Sequence, residues 1–198
     1  MRPLLLYIHG FSSSGQSEKA LAVGEFVKQH CPHMDYLAPS FPNYPAAAFN
    51  AIKEIIESEL AQGREKIGMI GSSLGGFMAT MVGELYQLKA VLVNPAVKPS
   101  KLMPVLLGEN TNFHTGEKFL LTQDHLQELV EIECERMQYP ENYWLMLQTG
   151  DETLNYRWAK KYYSKSPQHI EEGGNHRFEN FEQHLPAVLE FLELTDGH

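Results

Sequence analysis

Ile67-Gly68-Met69-Ile70-Gly71-Ser72-Ser73-Leu74-Gly75-Gly76 decides how the rest of the chain is read. An apolar run of strand length enters it, and a segment of helical period, Leu74 to Tyr86, leaves it. Between the two, Gly71 to Gly75 has the form G-x-S-x-G, which sets Ser73 on a sharp strand-to-helix corner with its hydroxyl above the sheet. The glycines two residues either side remove side chains that would collide with the adjoining strand and helix. The helix aims its partly positive N-terminus at the reacting oxygen. Ser72 fills a variable slot and is expected to face away. A Gly-Ser turn serving only as a helix cap has the same letters; the flanking strand and helix favour a nucleophile.

Outward from this corner the chain alternates. Short apolar runs at Leu4–His9, Met34–Ala38, Lys66–Gly71, Ala90–Asn94, Tyr143–Gln148 and, more weakly, Gln168–Glu171 read as strands covered on both faces. Helical period appears from Ala46 to Leu60, after a turn holding Pro39, Pro42 and Pro45, and again from Leu74 to Tyr86 and Leu185 to Leu194. Pro186 fits only the first turn of that last helix. Strands alternating with helices predict one α/β domain with a doubly wound, mainly parallel sheet of about six strands. The stretch 98–140 breaks the pattern: it shows no convincing strand and one helix, Gln123 to Met137. It is expected to form a short helical cap or lid. Its apolar residues Leu102, Met103, Val105, Leu106 and Leu107 suit either the cap's own small core or an acyl pocket, and the former reading is preferred.

In such sheets ligands bind beyond the carboxyl ends of the strands, so polar residues that follow strands are the candidates for chemistry. An acyl-transfer serine needs two N–H donors for the oxyanion. One is the N–H of Leu74, after the nucleophile, and the other is expected from Phe11 in His9-Gly10-Phe11, just past the first strand. His9 is read as a brace for that loop. Past Tyr143–Gln148 comes Thr149-Gly150-Asp151-Glu152, with Asp151 placed to orient an imidazole and Glu152 its rival. Past the last strand Gly173-Gly174-Asn175-His176 puts His176 on a glycine-flanked loop, in chain order Ser, Asp, His, as the general base. The other histidines, His30, His33, His114, His125, His169, His184 and His198, lack that combination and are mostly assigned to the surface.

Two tempting motifs fall away. Ser12-Ser13-Ser14-Gly15 lacks the Gly-Lys-Ser/Thr of a phosphate loop and is read as a flexible turn capping the next helix. His114-Thr115-Gly116-Glu117-Lys118 resembles a zinc-finger linker, but no Cys₂His₂ unit flanks it.

Composition narrows the classes further. At 198 residues, 43% apolar and 21% charged, the chain suits one globular domain. Sixteen basic against 25 acidic residues give a net charge of −9, which disfavours nucleic acid as a partner. Cys31 and Cys134 form no CxxC and no metal-ligand spacing surrounds them, so no metal site is expected. The run Leu4–Ile8 is too short for a signal peptide core, and no stretch nears the roughly 20 apolar residues of a membrane span. A cytoplasmic setting with reduced thiols is the expectation; oligomeric state is not legible.

Taken in order, Tyr7-Ile8-His9-Gly10-Phe11, Gly71-Ser72-Ser73-Leu74-Gly75-Gly76, Leu92-Val93-Asn94-Pro95-Ala96, Gln148-Thr149-Gly150-Asp151-Glu152 and Gly173-Gly174-Asn175-His176 resemble the YqiA-type esterases, small bacterial α/β-hydrolases of about this length. The resemblance spans nearly the whole chain and is least distinctive over 98–140. It implies one α/β-hydrolase domain, here without the usual leading β-hairpin. It also implies a carboxylesterase or acyl-thioesterase acting on a small acyl ester or thioester, with Ser73, Asp151 and His176 as triad, Phe11 and Leu74 as oxyanion donors, and no cofactor.

Overall fold

A computed structural model describes residues 1–195. The elements run β1 (Leu4–Ile8), α1 (Glu18–His30), β2 (Asp35–Leu37), α2 (Pro45–Ala61), β3 (Ile67–Ser72), α3 (Leu74–Tyr86), β4 (Lys89–Val93), α4 (Pro99–Leu102), β5 (Gly108–Thr111), β6 (Lys118–Leu121), α5 (Gln123–Ile132), β7 (Tyr143–Gln148), α6 (Tyr156–Tyr162), β8 (Gln168–Glu171) and α7 (Leu185–Phe191). Six strands form one sheet in the order β2-β1-β3-β4-β7-β8, every pair parallel.

The runs of apolar residues are continuous because both faces of the sheet are covered, and successive side chains divide between two cores. Leu6, Ile8, Met69, Leu92 and Leu145 pack with Ile52 and Ile56 of α2 and with Phe77 and Met78 of α3. Leu5, Tyr7, Ile70, Val91 and Met146 pack on the other side with Val23 and Val27 of α1 and with Val188 and Leu189 of α7. A parallel sheet fed by crossover helices brings all strand ends with the same polarity to one rim. Ile8 pairs with Gly71, Ser72 with Val93, and Gln148 with Glu171 at that rim. The winding reverses between β1 and β3, so their carboxyl ends splay apart into a crevice. Gly10-Phe11 and Ser73 lie on its two sides.

Four expectations need correction. The segment 98–140 is not strandless: β5 and β6 form an antiparallel hairpin, Gly108 opposite Leu121 and Thr111 opposite Lys118. Gly-Glu-Asn-Thr has no apolar alternation, so β5 exists because the turn at 112–117 returns the chain onto it. The Asn112 N–H donates to Glu117 O at 2.8 Å, and Asn112 Oδ1 accepts from the N–H groups of His114 and Thr115. The helix read to Met137 stops at Ile132, and the one read to Leu194 stops at Phe191. The serine turn does not cap α1 with residues 12–14: the cap position is Ser17, and Ser12 and Ser14 are buried. Of the remaining histidines only His30 and His114 are exposed; His33, His125, His169 and His184 are half-buried, and His198 lies outside the described residues. No described helix is long and apolar enough to cross a membrane.

Candidate active site

Ser73 is the residue between β3 and α3, with φ 56° and ψ −122°, a positive-φ conformation outside the regions open to most side chains that costs a non-glycine residue about 1–3 kcal/mol. Its peptide groups are held from three directions. The Ser73 N–H donates to Val93 O at 3.0 Å, and Ser73 O accepts from the N–H groups of Gly76 and Ala96, both at 3.0 Å. The corner survives because the end of β4 and the chain beyond it clamp it. Ser72 hydrogen-bonds the buried Tyr7 hydroxyl, and burial drives that phenol's pKa far upward; both residues border the same cleft as Ser73, so Ser72 does not face away from it as its variable slot suggested.

The two glycines of the motif are needed for approach. A Cβ on Gly71 would lie 2.4 Å from Gly75 O, and one on Gly75 would lie 2.1 Å from Ile8 O and 2.5 Å from His9 O. All of these are backbone atoms, which cannot rotate aside. Gly75→Ala is therefore expected to push the end of β1 away from α3 and to destabilise the fold by about 1–3 kcal/mol or more. A melting temperature lowered by about 5 °C and a weaker oxyanion site would register this; a variant that melts with the wild type would show that β1 yields freely.

His176 reaches Ser73 from the far side of the cleft. Its Nε2 lies 3.0 Å from Ser73 Oγ, and its Nδ1 lies 2.8 Å from Asp151 Oδ2. The Asp151 side chain is only 2% exposed. Its other oxygen, Oδ1, accepts from the N–H groups of Thr153 and Leu154, both at 2.8 Å, so one oxygen fixes the loop and the other meets the imidazole. Glu152 does not compete: its carboxylate accepts the backbone N–H of His176 at 3.0 Å. Backbone N–H groups, its own and that of His176, hold it below the ordinary carboxylate range. The two loops are also joined through Gly150 N–H donating to Gly173 O at 2.7 Å.

The structure adds three side chains that sequence reading missed. Asn94, at the end of β4, donates through Nδ2 to the carbonyls of Asn175 (3.0 Å) and His176 (3.1 Å). Its Oδ1 accepts the backbone N–H of Gln148 at 3.0 Å. The buried Gln148 side chain accepts through Oε1 from the N–H groups of Asn175 and Glu179. From α1, Lys19 donates to the carbonyl of Arg177, and burial lowers its ammonium to about 8 against the pull of Glu182 and Glu18. The available signal was modest: a polar residue closing each apolar run, at Asn94 before Pro95 and at Gln148.

Opposite Ser73, a Cβ placed on Gly10 would come 3.1 Å from Ser73 Cβ, so the Gly10-Phe11 peptide lies beside the hydroxyl. His9 sets its orientation. His9 Nε2 accepts the N–H of Phe41 at 2.9 Å, which leaves the proton on Nδ1 to donate to Gly10 O at 2.8 Å. Because the peptide is trans, fixing Gly10 O fixes the Phe11 N–H in the opposite direction. Among the described residues neither that N–H nor the N–H of Leu74 has a protein acceptor.

Burial lowers the pKa of His9, so the fold holds it neutral. The unfolded chain takes up a proton there that the native state refuses, and stability falls as pH drops below the ordinary imidazole value, by at most about 1.4 kcal/mol per pH unit. His9→Gln is expected to flatten this acid-side slope in urea titrations between about pH 5 and 6.5; parallel slopes would remove the assignment.

These groups open into a cleft of about 990 Å³ bordered by Gly10, Phe11, Ser73, His176, and Phe113 and His114 from the β5–β6 turn. The turn is tied to the neighbouring loop through Asn112 Nδ2 donating to Ser13 O at 3.1 Å. Phe113 is 89% exposed at the mouth. None of Leu102, Met103, Val105, Leu106 and Leu107 borders this cleft. Met103 is buried in the core, and Val105 is exposed.

The model of a family described as "Uncharacterised protein family (UPF0227)" matches residues 4–193. A UPF0227 protein of Serratia proteamaculans (strain 568) is 24% identical over 195 residues, covering 96% of this chain and 99% of that protein. Among solved structures, a putative hydrolase from Agrobacterium vitis S4 superposes with a TM-score of 0.75 at 15% identity, covering 96% of this chain and 88% of the other. Est1E from Butyrivibrio proteoclasticus gives 0.73 at 18% identity (98% and 88%). The monoacylglycerol lipase of Paleococcus ferrophilus gives 0.68 at 14% (98% and 96%). The fold is that of the α/β-hydrolases.

Proposed function

The chain belongs to the UPF0227 family, the YqiA family of esterase-like proteins, and we propose that it is a serine hydrolase that cleaves short or medium acyl esters or thioesters. The observation that carries this reading is the unbroken line of hydrogen bonds from Ser73 Oγ to His176 Nε2 and from His176 Nδ1 to Asp151 Oδ2, in an open cleft.

In this reading Ser73 Oγ attacks the acyl carbonyl as His176 Nε2 takes its proton. The Asp151 carboxylate keeps the Nδ1 proton in place and stabilises the imidazolium that forms. The N–H groups of Phe11 and Leu74 receive the developing oxyanion, each worth about 3–4 kcal/mol of transition-state stabilisation in comparable sites. His176 then passes its proton to the departing alcohol or thiol, leaving an acyl-serine. A water molecule, deprotonated by the same imidazole, attacks that ester; the bond to Ser73 Oγ breaks as His176 returns the proton to it, the carboxylic acid is released and Ser73 is regenerated. Neither half-reaction calls for a cofactor. The segment 98–140 serves as the cap, with the tip of its hairpin at the cleft mouth.

A fluorophosphonate probe and a panel of nitrophenyl esters and acyl-CoA thioesters of graded length test the proposal. Wild-type protein is expected to label once and to turn over at least one class. Protein that neither labels nor hydrolyses any of them refutes it, and would leave a binding protein on a hydrolase fold. Labelling without ester or thioester turnover would point to another acyl or carbonyl substrate.

A further inference from the structure

The edge strand β8 carries a second convergence of polar side chains, on the far side of Gln148 from the Ser73 cleft. His169 and Glu171 are two residues apart on a strand, so they project from the same face. The 3₁₀ turn Phe181–His184 lowers His184 onto them. His169 Nε2 and His184 Nε2 each lie 2.9 Å from the same oxygen, Glu171 Oε1, and the three atoms lie within 4.8 Å of one another. The two imidazoles are packed with ring centroids 4.8 Å apart, Trp144 edges onto His169, and Phe178 edges onto His184.

We propose that His169, Glu171 and His184 bind a divalent transition-metal ion of the zinc class, through two imidazole nitrogens and one carboxylate oxygen. Zinc–ligand bonds of about 2.0–2.1 Å put tetrahedral donor atoms about 3.3 Å apart, so each 2.9 Å Nε2–Oε1 separation must open by about 0.4 Å and the two imidazole nitrogens, no more than 4.8 Å apart, must close by up to about 1.5 Å, which side-chain rotation supplies. The donor set selects the metal. Two nitrogens suit zinc, nickel or copper and are poor for magnesium or calcium, which take oxygen ligands. The side chains are 38%, 31% and 22% exposed, so water can complete the coordination.

A ligating carboxylate is normally held by a further hydrogen bond. Here Glu171 Oε2 accepts from Gln148 Nε2 at 2.8 Å, and Gln148 is 3% exposed. Through Gln148 the ion would brace the 175–179 loop, since the same side chain accepts from the N–H groups of Asn175 and Glu179. The site does not depend on the hydrolase reading, because binding rather than turnover tests it. It eluded sequence reading because the third ligand lies 13 residues from the second, in no recognised spacing.

Trp144 and Trp158 are the two tryptophans, so Trp158→Phe leaves Trp144 as a reporter with its ring centroid 6.4 Å from that of His169. In that background Cu²⁺ is expected to quench fluorescence saturably with one equivalent, Zn²⁺ added first to shift that quenching to higher Cu²⁺ concentration by competition, and Mg²⁺ to leave it unchanged. At a hundredfold excess over Kd, Zn²⁺ should raise the melting temperature by about 5 °C or more. His184→Ala and Glu171→Gln should each weaken binding about tenfold or more, whereas His176→Ala should leave it intact. Should His184→Ala fail to fold, His169→Asn on the edge strand carries the same test. Absence of saturable quenching in the parent overturns the proposal. So do equal affinities in parent and ligand variants, or a loss confined to His176→Ala, which would put the ion in the Ser73 cleft.

Discussion

Ser73→Ala is expected to abolish fluorophosphonate labelling and to lower kcat by about 10⁴- to 10⁶-fold on whichever ester the wild type prefers. The hydroxyl is the only atom lost, and its partner His176 Nε2, 3.0 Å away, keeps its hold on Asp151. Folding should survive, because the contacts that pin residue 73 are made by its backbone to Val93, Gly76 and Ala96. A companion variant separates chemistry from strain. Ser73→Gly should be as inactive as the alanine form but should melt higher than it, since glycine adopts a φ of 56° without a Cβ penalty. Substantial turnover by Ser73→Ala would sink the acyl-serine route, and the search for a nucleophile would have to restart elsewhere in the cleft.

Asp151→Asn should lower kcat by about 10⁴-fold, as loss of the orienting carboxylate does in other serine triads. The asparagine amide matches the carboxyl in size and keeps an oxygen for the N–H groups of Thr153 and Leu154, so the loop is expected to hold. At the Oδ2 position an NH₂ would now face His176 Nδ1. That reverses the required tautomer and places a hydrogen where the imidazole must donate one. Glu152→Gln is the control. Its carboxylate meets only backbone N–H groups, so the variant should retain activity within about tenfold, in proportion to one lost charge-assisted hydrogen bond. A reversal of these two results in a steady-state assay would transfer the acid's role to Glu152.

Much of the fold was legible because it rests on local regularities. Six apolar runs bounded by turn residues became the six strands of the main sheet, and α3 spans Leu74–Tyr86 as its period indicated. Where local signals were weak, reading failed. β5 is a polar tetrapeptide that owes its strand geometry to its pairing partner, and α6 is a seven-residue helix too short to display a period. Ser12 and Ser14 look like solvent-facing turn residues in the chain, yet the structure buries them beneath the hairpin turn and the α1 entrance.

The sequence by itself determined which residues stand at the carboxyl ends of the strands, since the strand pattern and the chain order of Ser, Asp and His are properties of neighbours along the chain. Only the tertiary structure decided what touches what. It gave Asp151 the imidazole and Glu152 a backbone N–H, made His9 the setter of the Gly10-Phe11 peptide, and used Asn94 and Gln148 to hold the histidine loop. It also drew His169, Glu171 and His184 together. The physical reason is range. Strand and helix preferences act over a few residues, whereas a hydrogen bond between residues 73 and 176 exists only after parallel pairing has brought separate loops to the same rim.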